Sequence, residues 1–233
     1  MRLRHGDFSL SARRLGILAA AGVVLLGLTY AATLIVGLLS LQSPKQPIEG
    51  LYFSIMELHI LLMAPTAVVL MAAVHAWAPH DAKAYSLTAL VFIGILAGLT
   101  CSVHFVILAV RPQIASTDLL RSTLFLSFTW PSVAYALDIL AWDFFFGLAM
   151  LFASPVFGGG RLAISIRILM TTSGVLAIAG FSGVVLGDMQ LRMIGVIGYA
   201  AIFPIVALLL AILFMRTEAV ANSPADVTSR PEA

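Results

Sequence analysis

Apolar residues run through this chain in long unbroken blocks, not in the every-third-or-fourth rhythm of a helix lying on a soluble core. Six blocks, 15–41, 52–77, 85–110, 132–157, 162–186 and 194–215, reach the length needed to cross a bilayer. A helix needs about 20 predominantly apolar residues to do so. None of the blocks alternates with the period of two that a barrel strand requires. The pattern predicts an all-α polytopic membrane protein with six transmembrane helices. A basic segment 1–14 precedes the six-helix domain 15–216, and the tail 217–233, mixed from Ala, Ser, Pro and Glu, is expected to be disordered and cytoplasmic. The first block is 27 residues long, well past the 7–15 of a cleavable signal core, so it reads as an uncleaved anchor.

One stretch does not divide cleanly. Residues 117–157 would make a single helix of about 60 Å, twice the bilayer core. Pro131 offers a break, and the residue before a proline is pushed away from the helical region. The expected arrangement is a short outer-surface helix over 117–128, capped by Ser116 or Thr117, with the fourth span following Pro131. The alternative places the span at 119–141 and moves Asp138 to the cytoplasmic end.

Composition confirms the solvent. Hydrophobic residues make up 61% and charged residues 10%, against about 45–50% and about 25% in soluble domains. The formal charge of +2 provides no field for nucleic acid, which is excluded as a partner. The lone Cys101 excludes an internal disulfide and any multi-cysteine metal centre. The basic residues serve as topology markers. With the N-terminus inside, Arg2, Arg4, Arg13, Arg14, Lys83, Arg161, Arg167, Arg216 and Arg230 fall on the cytoplasmic side, and Lys45, Arg111, Arg121 and Arg192 fall outside. Nine against four places both termini in the cytoplasm. Together with the Ala, Gly and Leu content, this suggests a multi-pass protein of the cell (plasma) membrane, specifically a bacterial inner membrane.

Ionisable side chains inside spans cost about 2.5–3.5 kcal/mol each near the helix centre, so each needs a reason. They are Glu57, His59 and His75 in the second span, His104 in the third, and Asp138 and Asp143 in the fourth. Counted from the outer helix ends at about 1.5 Å per residue, Glu57, His59, His104 and Asp138 share a level roughly 8–11 Å below the outer surface. Helical geometry limits which of them meet. Glu57 and His59 stand about 200° apart, and Asp143 points about 140° away from Asp138 on an α-helix. His75, near Trp77 and His80, reads as interfacial, and Arg167 as a side chain reaching back to the headgroups.

This polar level supports three readings. The leading one is a non-enzymatic membrane protein with an outer-leaflet pocket among the second, third and fourth helices, lined by Glu57, His59, His104, Asp138 and Asp143, that binds or passes a small solute or proton. The second is a haem- or metal-binding oxidoreductase component with His59 and His104 as ligands. No metal-specific spacing is present, however, so no cofactor is favoured and no catalytic residue is assigned. The third is a structural or partner-binding membrane subunit, its polar layer satisfied between neighbouring helices. The pairs Gly94/Gly98 and Gly183/Gly187 have the small-xxx-small spacing of close helix packing, and Gly174, Gly180, Gly195 and Gly198 point to a tight contact between the fifth and sixth spans. No internal repeat is visible, and apart from Arg167 the last two spans lack charged groups.

Overall fold

The computed structural model describes residues 3–43, 46–114 and 119–220. Among these, six helices are long and apolar enough to cross a membrane: Leu10–Leu39, Gly50–Trp77, His80–Gln113, Val133–Val156, Arg161–Leu186 and Arg192–Arg216. They correspond one to one with the six apolar blocks, and they are called the first to sixth spans below. Consecutive spans pack side by side and the sixth returns to the first, closing a ring. Small residues allow that closure. Gly16, Ala19, Ala20 and Val23 form the one buried edge of the first span, and a Cβ at Gly16 would meet Ala73 and Phe214 at 2.8 Å. Large side chains, among them Phe146, Phe203, Leu70 and Met150, fill the interior. Leucine, isoleucine and valine face outward along five of the spans, the fourth being more enclosed, as a lipid solvent permits.

The two chain ends meet at one end of the ring. Leu3–Ser9 and Thr217–Val220 form a two-stranded parallel sheet, with Leu3 opposite Thr217 and Arg4 opposite Glu218. The tail therefore begins in a strand and not as a disordered segment, and residues 221–233 lie outside the described residues. Arg13 donates to the carbonyls of Phe214 at 2.9 Å and Met215 at 2.7 Å, satisfying backbone acceptors that the end of the sixth helix leaves free. Trp77 Nε1 donates to Thr217 Oγ1 at 3.2 Å. Lys83 caps the second span through the carbonyls of His75 and Ala76, and His75 Nδ1 lies 2.8 Å from Ser86 Oγ. His75 is thus satisfied locally.

At the opposite end, a short helix Leu119–Leu126 precedes the fourth span, close to the expected outer-surface helix. The proposed caps Ser116 and Thr117 lie outside the described residues. The helix stops at Leu126, and Ser132 starts the next by accepting from the Tyr135 amide at 3.1 Å while its hydroxyl donates to the Ser127 carbonyl. This break rules out a span over 119–141.

Two spans contain a π-helical turn, Leu140–Phe145 in the fourth and Ile197–Ile202 in the sixth. Pro204 follows the second and cannot donate to the preceding turn, which favours a wider turn there.

Candidate buried charge network

The network is built at the end of the ring opposite the termini, where four spans each contribute at least one polar side chain. Glu57, seven residues into the second span, is 2% exposed, and His104 near the end of the third is 1% exposed. His104 Nδ1 lies 2.8 Å from Glu57 Oε2. Its Nε2 faces Asp138 Oδ1 at 3.5 Å, too long for a good hydrogen bond, and has no other partner among the described residues. Asp138 in turn accepts from Arg192 Nη2 at 2.7 Å, and the same guanidinium donates from Nε to Asp143 Oδ2 at 3.0 Å. The sequence Glu57, His104, Asp138, Arg192, Asp143 is therefore continuous across the second, third, fourth and sixth spans.

Three of these five residues were expected to share a level, and they do. Asp143 differs from the α-helical expectation, which turns it about 140° away from Asp138. The π turn Leu140–Phe145 takes up an extra residue through its i→i+5 bonds, so a separation of five covers about one turn and both carboxylates reach the same guanidinium. The Asp143 side chain is fully buried and enters a slot where the fifth and sixth spans cross. A Cβ at Gly180 would lie 2.6 Å from Gly195 N and 2.8 Å from Asp143 Oδ1, and a Cβ at Gly195 would collide with that oxygen. Only glycine at both positions leaves room for the carboxylate. Oδ1 itself has no hydrogen-bond partner among the described residues.

Arg192, expected among the outer loop charges, instead begins the sixth span and points into the bundle. It is 8% exposed, and its guanidinium carbon lies 4.5 Å from the centre of the Tyr135 ring. The sixth span, which seemed to hold no charged group, supplies the cation of the site.

His59 does not join the network. Its Nδ1 is 2.7 Å from the Ile55 carbonyl one turn back, and its ring meets Tyr30 of the first span edge-on, with centroids 6.5 Å apart. His104 turns both nitrogens toward carboxylates of the second and fourth spans, so the two histidines do not face one another. Among the described residues, no group of three or more His, Cys, Asp or Glu side chains is placed to hold a metal ion. The glycine pattern also divides. The fifth–sixth contact is present, with Ser173 Oγ donating to the Gly198 carbonyl at 2.8 Å. Gly174, by contrast, packs on Gly147 and Leu151 of the fourth span, and Gly94 and Gly98 face outward with nothing within 4 Å of an added Cβ.

Aromatic rings cover the network at the end of the ring away from the β-sheet. Phe128 lies over His104 with centroids 5.2 Å apart, and Tyr135 packs against both Phe128 and Trp130. Asp138, with 13% of its side chain exposed, is the most accessible member of the network. One turn inward of His104 on the same helix face, the fully buried Thr100 hydroxyl is also without a partner among the described residues. The formal charges do not cancel: three carboxylates face one guanidinium and one imidazole, leaving −1 with a doubly protonated imidazole and −2 with a neutral one.

Comparison with models of known protein families, with curated proteins and with solved structures gives no match for this chain. Its function is argued from this geometry alone.

Proposed function

We propose that this chain is a non-enzymatic membrane protein that takes up a proton from the outer face and hands it between buried carboxylates. The observation that carries the reading is His104, an imidazole set between Glu57 at 2.8 Å and Asp138 at 3.5 Å inside the bilayer. An imidazole can accept a proton at one nitrogen and release it from the other, and intramembrane carboxylate and histidine chains are the usual means of proton relay. Asp138 is the entry and Glu57 the inner acceptor. The positive-inside asymmetry sets the termini in the cytoplasm and the network in the outer leaflet of the plasma membrane. Close packing around Glu57, His104 and Asp143 leaves room for a proton in preference to a larger solute.

The same close packing favours one competing reading, in which the network only fastens four helices together. Proteoliposomes containing a pH-sensitive dye separate the two. Under an imposed pH gradient the wild-type protein is expected to pass protons, and D138N and H104Q to stop that flux while eluting as folded protein. A wild-type protein that passes none, with variants that lose only stability, leaves the fastening role. Haem ligation by His59 and His104 has no support in their orientations, and the absorbance spectrum of the purified protein checks it.

A further inference from the structure

We infer that a groove on the lipid-facing side of the fifth span, centred on Arg167, binds the phosphate of an anionic phospholipid. The groove is about 430 Å³ in volume and is lined by Ile164, Arg167, Ile168, Thr171 and Thr172. It is built from the fifth span, which supplies no member of the charge network, and does not depend on the proton reading. Arg167 sits six residues in from Arg161, about 9 Å along the helix, at the end of the bundle that carries the termini.

The groove combines an unpartnered cation with unpartnered hydroxyls. Several basic side chains in or beside the spans meet protein acceptors: Arg13 and Lys83 bond carbonyls, Arg192 two aspartates and Arg111 Glu49. Arg14, Arg161 and Arg216 make no such contact among the described residues, and they stand nearer the ends of their helices than Arg167 does. Arg167 is exposed and makes no hydrogen bond or ion pair among the described residues. Hydroxyls within spans usually bond back to their own helix, as Thr29, Thr66, Thr88 and Ser102 do four residues back. Thr171 and Thr172 make no such bond among the described residues.

Arg167 and Thr171, four residues apart, stand one above the other on the helix, and helical side chains lean toward the N-terminal end. Both therefore lean toward the membrane face where Arg161 lies. A guanidinium with two hydroxyls presents donors to a phosphate, and Ile164 and Ile168 provide an apolar wall for an acyl chain. A charge left within the bilayer without a partner is costly, and the leaflet supplies its own counter-ion. Charge complementarity thus selects an anionic lipid.

Native mass spectrometry of the full chain in detergent, with added phosphatidylglycerol or phosphatidylcholine, tests the assignment. The wild-type protein is expected to retain phosphatidylglycerol in preference to phosphatidylcholine. R167Q is expected to lower that retention about fivefold, the factor for losing one charge contact at an anionic surface. R161Q is expected to leave retention unchanged, and T171V/T172V to reduce it. Because Arg167 is exposed and unpartnered, R167Q keeps the wild-type melting temperature. Equal retention of the two lipids, unchanged retention in R167Q, an equal loss in R161Q, or displacement by millimolar inorganic phosphate would each overturn the proposal.

Discussion

Replacing Arg192 with glutamine removes the only guanidinium in the buried network and leaves two carboxylates facing each other. The cost is set by how far each partner is withdrawn from solvent. Asp143 is fully buried at 3.0 Å from the guanidinium, whereas Asp138 keeps 13% of its side chain exposed at 2.7 Å. Exposed pairs are worth about 0–1 kcal/mol, so most of the loss falls on Asp143. Removing one partner of a buried pair costs about 3–5 kcal/mol because the other charge is stranded. At about 2–4 °C per kcal/mol for a chain of this size, the midpoint of unfolding should fall by roughly 6–20 °C. Cys101 makes the assay simple. It is a single thiol, only half-buried, held toward the Leu61 carbonyl within the third span. A thiol-reactive fluorophore added during heating therefore reports unfolding from one position. The double variant R192Q/D143N removes the stranded charge and should recover about 1–3 kcal/mol of the loss. A midpoint within 2 °C of wild type for R192Q, or losses in the double variant that simply add, would refute a stabilising Arg192–Asp143 pair.

The same assay grades the glycines. G180A and G195A should each cost about 1–3 kcal/mol, because the new methyl meets backbone or the Asp143 carboxylate and neither can retreat. G94A and G98A, with nothing within 4 Å, should be neutral or gain up to about 1 kcal/mol from helix propensity. S132A removes the cap of the fourth span and should cost about 1 kcal/mol, measured as a shift in the midpoint of denaturant unfolding. The D138N flux measurement and the R167Q lipid retention stand beside these as tests of function.

The six spans were legible in the sequence because a bilayer sets their length and an unbroken apolar block has few other places to go. The common level of Glu57, His104 and Asp138 was legible for the same reason, since rise per residue converts position into depth. What depended on the packing of one span against another was not. Sequence showed that Glu57 and His59 point apart, but only the contact between the second and third spans selects Glu57. The Gly94/Gly98 spacing looks the same whether its face meets a helix or lipid, and here no described residue lies against it. Arg192 was missed because an arginine at a helix end resembles a loop charge. The available signal was the excess of carboxylates within spans, which called for a cation. The π turn left no local mark, because its wider backbone is repaid only by the Arg192 contact that it brings within reach of Asp143.

That excess of carboxylates is also what separates a fastening role from a proton-handling one. One carboxylate would balance Arg192 and one would balance a doubly protonated His104, so charge balance alone calls for two carboxylates at most. The chain places three in contact with these two groups and leaves Asp143 Oδ1 and His104 Nε2 without hydrogen bonds. Unbalanced charge and unsatisfied polar atoms are expensive in a low-dielectric interior, and further burial of the same groups does not lower that cost. A proton does, by cancelling one formal charge and giving an acceptor a donor. The proposed proton uptake rests on this shortage, with Asp138 at the accessible edge of the network and an imidazole behind it.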